Sequence, residues 1–201
     1  MVCAAAILAG GRATRMGGRP KSFLEVGGRS VLDRQLEVLR PLFGEILIVA
    51  NDAQLYERFG LPVVPDVVSG QPGPLAGILS AVESAQAPAV LCLACDMPFL
   101  AAEALRLVRD RAPEAEVVVP EVAGRAEPLF ARYARTVGPA IRAQLSSGDY
   151  KVSRFFDRVR TVRIEEQDLR AVDPALRFLA NVNTPEELAD WDAGGPERRN
   201  L

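Results

Sequence analysis

Histidine is absent from all 201 residues of this chain. Its absence removes Ser-His-Asp and Cys-His triads, imidazole general bases and histidine-ligated zinc together. Cysteine is scarce: Cys3, Cys92 and Cys95 are too few for a disulfide framework and point to a reducing compartment. Neither sign of charge dominates, with 24 basic against 26 acidic residues and a net charge of −2. The basic residues are spread along the chain, so the footprint of a nucleic-acid binder is missing. No apolar run approaches the ~18 residues of a membrane span. The apolar start, Met1 to Leu8, has no basic flank and runs straight into Gly10-Gly11, which suits a buried first strand better than a secretory signal. A cytoplasmic protein is expected.

What remains is an ordinary globular composition, 49% apolar and 25% charged, at a length that fits one domain. Apolar runs of strand length alternate with helix-period segments. Val2 to Leu8, Glu45 to Ala50, Leu61 to Val64, Ala89 to Ala94 and Val117 to Val119 read as strands. Leu32, Leu36 and Leu39, then Leu75, Ile78, Leu79 and Val82, repeat at helical spacing, and a third helix is expected over Ala101 to Ala112. This alternation predicts an α/β fold, a three-layer Rossmann-like sandwich on a mostly parallel sheet. Beyond Glu121 the pattern weakens, with a helix over Ala134 to Leu145 and an edge strand over Thr161 to Ile164. Thr184-Pro185-Glu186-Glu187 reads as an N-cap, an N1 proline and a capping-box glutamate. Residues 1–193 are expected to form one domain, with 194–201 a frayed tail.

Ligands of such folds bind beyond the carboxyl ends of the strands, which directs attention to the segment after the first. Gly10 to Lys21 places Arg12, Arg15, Arg19 and Lys21 among four glycines. Glycines let backbone N–H groups close on an anion, and guanidinium groups suit bidentate contact with phosphate. Neither the dinucleotide fingerprint G-x-G-x-x-G nor the P-loop is present, since Lys21 follows Pro20. A solvated loop with incidental arginines is the bland alternative. Asp96, closing the strand Ala89 to Ala94, is placed to hold a hard divalent cation together with substrate phosphates, the alternative being a cap for the following helix. Asp66 is a second carboxylate facing the same edge. Cys92 and Cys95 lie three apart along a strand, so their sulfurs point to opposite faces and read as structural thiols rather than a shared metal site.

The segment LAGGRATRMGGRPK resembles the glycine-rich signature of the MobA-type nucleotidyltransferases that act on molybdopterin. Pro72-Gly73-Pro74-Leu75-Ala76-Gly77, Cys95-Asp96-Met97-Pro98, Glu127-Pro128-Leu129-Phe130 and Asn181-Val182-Asn183-Thr184-Pro185 continue the likeness in the same order over nearly the whole chain. The resemblance is to the guanylyltransferase branch. It implies a nucleotide-diphospho-sugar-transferase-like fold that moves GMP from GTP, with Mg²⁺, onto the terminal phosphate of molybdenum-molybdopterin. Nucleotide contacts would come from Leu8, Ala9, Gly10, Gly11, Lys21, Asn51 and Asp66, with Gly73, Pro74, Leu75 and Gly77 lining the guanine pocket. Asp96 would hold metal and nucleotide, Arg15 and Lys21 the departing pyrophosphate, and Asn181 and Asn183 the pterin side. Docking with cofactor-insertion and target molybdoenzymes follows from the same resemblance, with a monomer as default.

Two positions depart from the family pattern. Pro20 stands where an acidic residue is common, and Glu127 where a polar or basic one is usual. Two alternatives stay open: a related cytidylyltransferase using CTP, which Gly73 to Gly77 disfavours, and a silent nucleotide-binding module, which the pairing of Lys21 with Asp96 disfavours.

Overall fold

The computed structural model describes residues 1–10, 20–26, 28–68 and 73–192. The expected frayed tail and the loop residues Gly11 and Arg15 therefore lie outside the described residues. The first strand, β1 (Ala4–Leu8), is buried at every position. Short β2 (Glu25–Val26) and β3 (Arg29–Ser30) form a separate antiparallel ribbon. Then come α1 (Val31–Leu39), β4 (Ile46–Val49), β5 (Val63–Val64), α2 (Pro74–Ser84), β6 (Ala89–Ala94) and α3 (Ala102–Asp110). The second half adds β7 (Val117–Val122), β8 (Arg125–Ala126), β9 (Phe130–Ala134), α4 (Gly138–Ser146), α5 (Val152–Phe156), β10 (Thr161–Ile164), α6 (Glu166–Val172) and α7 (Pro185–Asp192).

The main sheet runs β10-β7-β9-β6-β1-β4-β5. Every neighbouring pair in that order is parallel except those of β9, which is antiparallel to both β6 and β7. Thus β1 has β4 on one side and β6 on the other, and the chain reverses its direction of strand addition there. A crevice opens at such a reversal, because successive connections leave toward opposite faces.

Alternation along the strands feeds two cores. Ala5, Ile7, Leu91 and Leu93 meet α1, α3 and α6 through Leu32, Leu36, Leu105, Val108 and Leu169. Ala4, Ala6, Leu8, Val90 and Cys92 meet α2, α4 and α5 through Leu75, Ile78, Leu79, Ile141 and Phe155. The result is the expected three-layer α/β sandwich with a mostly parallel sheet. No helix among the described residues is long and apolar enough to cross a membrane.

Three local expectations change. The helix placed over Ala134 to Leu145 begins only at Gly138, because Ala134 ends β9 and residues Arg135–Val137 form a 3₁₀ turn. The whole of β9 was hidden, since its run Phe130-Ala131-Arg132-Tyr133-Ala134 has a basic residue at its centre. The Thr184 hydroxyl does accept from Glu187 N–H at 3.1 Å. Yet the Glu187 carboxylate reaches back to Asn183 N–H, at 2.7 Å, one residue earlier than in a standard capping box.

Candidate active site

Because β1, β4, β5 and β6 are parallel, Gly10, Asn51, Asp66 and Asp96 all leave the sheet along the same edge. The antiparallel β9 presents its beginning there, in register with Leu93 opposite Phe130, which brings Glu127-Pro128-Leu129 to that edge as well. A cleft of about 430 Å³ opens between these segments, a volume typical of small-molecule sites. Leu8, Ala9, Gly10 and Pro74 line it with Lys21 and Asp96, and so do Glu127 and Asn181.

Lys21 stands at the start of a 3₁₀ turn whose N-cap is Pro20, with φ −60°. The fixed φ of proline suits that turn, and the Pro20 carbonyl accepts from Phe23 N–H at 3.0 Å. Ser22 is fully buried and its hydroxyl lies 3.3 Å from the Tyr56 hydroxyl. The Phe23 ring packs 5.3 Å from that of Tyr56. These two anchors leave Lys21 facing the cleft. Its ammonium donates to Asp96 Oδ2 at 3.1 Å and to Asn183 Oδ1 at 2.5 Å. One cation therefore joins the exit of β6 to the segment before α7.

Asp96 does not cap α3, whose N-cap is Ala101. Its backbone is fixed by Val182, which donates an N–H to the Asp96 carbonyl at 2.8 Å. Val182 in turn packs on Val31 of α1. Beside it, the Cys95 thiol is pushed up to about 12, by burial first and then by the Asp96 charge. Cys92 and Cys95 do face opposite cores, and all three cysteines are free.

The second acidic residue is locked differently. Asn51 donates Nδ2–H to Asp66 Oδ2 at 3.1 Å, while its Oδ1 accepts Asp66 N–H at 3.0 Å. This clamp sits against the end of β1: a Cβ added to Gly10 would come 3.1 Å from Asp66 Oδ2. On the other side of Asp66, a Cβ on Gly77 would stand 2.9 Å from Leu8 Cδ2. Glycine at both positions lets α2 and the β5 exit close tightly on β1. Gly73 precedes α2, whose first residue, Pro74, reaches the cleft. Leu75, by contrast, is fully buried in the core, so its side chain gives the cleft no surface.

Leu8, Ala9, Gly10, Lys21, Pro74, Asp96 and Asn181 are thus gathered at one cleft, with Asn51, Asp66, Gly77 and Asn183 tied to its rim. Sequence reasoning missed Gln35 on α1. It is fully buried, and its Nε2 donates to the carbonyls of Ala94 at 2.8 Å and Met97 at 3.1 Å. The available signal was a glutamine between Leu32 and Leu36 on an otherwise apolar stripe.

A mostly parallel sheet whose carboxyl edge carries glycine-lined strand ends and a lysine paired with a carboxylate marks a nucleotidyltransferase. The family model of the MobA-like NTP transferase domain matches residues 5–164. The molybdenum cofactor guanylyltransferase of Rhizobium meliloti is 38% identical over 200 residues, covering 96% of this chain and 91% of its own. That of Syntrophotalea carbinolica is 34% identical over 194 residues, with 96% and 91% covered. Molybdopterin-guanine dinucleotide biosynthesis protein A from Archaeoglobus fulgidus, a solved structure, aligns with a TM-score of 0.76 at 25% identity over 92% of this chain and 95% of that one. The chain belongs to the MobA-like NTP transferase family.

Proposed function

We propose that this protein is a molybdenum cofactor guanylyltransferase. It transfers GMP from GTP to the terminal phosphate of molybdenum-molybdopterin, giving the guanine dinucleotide form and pyrophosphate. The observation that carries the reading is the position of the Lys21 ammonium, within hydrogen-bond reach of both Asp96 and Asn183. One cation there meets the residue that leaves β6 and the segment assigned to the acceptor.

In the transfer, an acceptor phosphate oxygen bonds to the α-phosphorus of GTP. The bridging bond to the β-phosphate breaks, and pyrophosphate leaves with that electron pair. The nucleophile is already anionic, so the protein needs no proton-abstracting base, and a chain with no histidine is adequate to the chemistry. Its task is positioning and charge neutralisation. Lys21 supplies a cation to the phosphates, assisted by Arg15 and the Gly11 amide from outside the described residues. Leu8, Ala9, Gly10, Gly73, Pro74 and Gly77 hold the nucleotide, and the Asn51–Asp66 clamp fixes its outer end. Asn181 and Asn183 face the acceptor, and Glu127 lines the same cleft as Asn181. The nucleotide half and the acceptor half share one sheet within a single domain.

The residues fit Mg²⁺ arriving with the triphosphate rather than a caged ion. Among the described residues, no group of three or more His, Cys, Asp or Glu side chains could hold a metal. Mg²⁺ in phosphoryl-transfer sites takes one or two carboxylates and completes its shell with phosphates and water. Asp96 is the residue that would hold it, and the ion would supply neutralisation of phosphate charge. The enzyme acts in the cytoplasm as a monomer and passes its product to cofactor-insertion and target enzymes.

A nucleotide panel tests the reading. GTP with Mg²⁺ raises the melting temperature and supports product formation with molybdenum-loaded molybdopterin, while CTP does neither. Asp96→Asn keeps the ligand-free melting temperature and loses the Mg²⁺-dependent part of both signals. Equal turnover with CTP refutes the guanine assignment, and full activity in Asp96→Asn refutes the metal role.

A further inference from the structure

We infer that Gln35 is a positioning residue for the Asp96 turn, acting from beneath the cleft on the geometry with which that carboxylate meets Mg²⁺ and nucleotide. The inference rests on the guanylyltransferase reading and goes beyond it, because Gln35 lines no part of the cleft.

Gln35 lies on the buried face of α1, among Val31, Leu32, Leu36 and Leu39, and is 0% exposed. Its Nε2 has two hydrogens. One goes to the Ala94 carbonyl at the last residue of β6, and the other to the Met97 carbonyl three residues on. The two bonds bracket Cys95-Asp96 and hold the turn at both of its ends. Among the described residues, the buried Oε1 atom of the same side chain has no hydrogen-bond partner. An orphaned buried acceptor is a cost that an apolar residue on this stripe would avoid. In exchange the glutamine makes two bonds that no apolar residue could, and what its donors grip is the backbone on either side of Asp96.

A further hold on this turn comes from the C-terminal segment. Val182 N–H reaches the Asp96 carbonyl at 2.8 Å, and Val182 packs on Val31, one helical turn before Gln35. Asp96 is therefore triangulated from α1 below and from the C-terminal segment beside it, which leaves its carboxylate in place against Lys21. Groups hydrogen-bonded directly to a metal ligand change metal affinity or activity by about 10–100-fold when removed, and Gln35, which acts through the backbone on either side of Asp96, belongs at the lower end of that range.

The test uses Gln35→Met, which keeps length and volume and removes both donors, on the full chain. GTP binding is measured by calorimetry over a Mg²⁺ series, alongside kcat and the melting temperature. The expected result is a rise of about 10-fold in the Mg²⁺ concentration needed for half-maximal GTP affinity, with metal-free GTP affinity within about 2-fold of the parent. A purely structural glutamine would lower the melting temperature and the active fraction and leave that Mg²⁺ requirement where it was. That outcome overturns the inference.

Should Gln35→Met fail to fold, Gln35→Glu carries the same test. Its protonated form donates one O–H toward the same carbonyls, and its ionised form repels them. In either form at least one of the two donors is lost, so its Mg²⁺ requirement at pH 7 lies above the parent's, and an unchanged requirement overturns the inference. If the parent protein itself shows no Mg²⁺-dependent GTP binding, the guanylyltransferase reading fails and takes this one with it. A parent that binds normally beside an unaltered Gln35→Met refutes this inference alone.

Discussion

Replacing Gly77 by alanine sets two opposed effects against each other. Within α2, loss of glycine's backbone freedom favours alanine by about 1 kcal/mol. Against that, the added Cβ would stand 2.9 Å from Leu8 Cδ2, well inside contact distance, and 3.4 Å from Leu8 Cγ. Leu8 is only 8% exposed and sits at the end of β1, whose backbone is held by strands on both sides. Its side chain must leave its rotamer, and overpacking of this kind costs about 1–3 kcal/mol. The net loss is about 1 kcal/mol, or roughly 3 °C for a chain of this length. Urea unfolding of four proteins separates the two effects: the parent, Gly77→Ala, Leu8→Ala and the double variant. With the Leu8 branch gone, Gly77→Ala stabilises by about 1 kcal/mol, so the coupling between the sites is about 2 kcal/mol. A coupling below about 0.5 kcal/mol would show that Leu8 yields freely and that the glycine is not there for close approach. Because Leu8 also lines the cleft, Gly77→Ala weakens GTP binding even at temperatures where it is fully folded.

Two further expectations concern stability and reactivity. Ser30→Ala removes the capping box of α1, in which Ser30 Oγ accepts from Asp33 N–H and both the hydroxyl and N–H of Ser30 donate to the Asp33 carboxylate; urea titration at pH 7 reads a loss of about 1 kcal/mol. Burial would raise the Asp33 pKa, but the Ser30 bonds and the nearby Arg58 and Arg29 hold it below its ordinary value. A depressed folded-state pKa gives stability that is complete above the unfolded value of about 3.9 and disappears as pH falls through the folded value. The difference between parent and variant therefore shrinks by pH ~3, and an undiminished difference there refutes the role given to the carboxylate. Cys3 and Cys95 are both pushed up to about 12, by burial first, and so stay protonated at pH 8. Iodoacetamide leaves the folded protein unlabelled at that pH and labels all three cysteines after unfolding; labelling of Cys95 faster than unfolding contradicts this.

The strands β1, β4 and β6 could be read from the chain because a strand buried on both faces is a continuous apolar run. Asp96 and Lys21 followed from the rule that ligands gather at strand exits. β9 escaped for a specific reason. Arg132 interrupts its pattern, yet is 1% exposed and donates to the carbonyls of Arg111 and Ala112 beyond the end of α3. A buried arginine is legible only once its distant partners are known. The strand-exit rule also misses the Glu127-Pro128-Leu129 segment, which enters a strand rather than leaving one and reaches the cleft only because β9 is antiparallel. Asn181 and Asn183 came from family likeness alone, since nothing in their local spacing announces that Lys21 lies 2.5 Å from one of them. Gln35 is marked in the chain only by its place on the apolar stripe of α1, and what it holds is legible only once its two carbonyl partners, about sixty positions away, are in place.

The contact between Lys21 and Asn183 spans 162 positions of sequence. During synthesis, Gly10, Lys21, Asn51, Asp66 and Asp96 are all made well before Val182 and Asn183 exist. A nascent chain with its first four main-sheet strands assembled would carry the Lys21–Asp96 pair without its third member, and the Asp96 carbonyl would still lack the Val182 N–H. The cleft is finished by a segment translated after every strand of the main sheet, so a chain stalled on the ribosome before residue 182 would carry Lys21 and Asp96 at an edge that lacks Asn183 and the Val182 N–H.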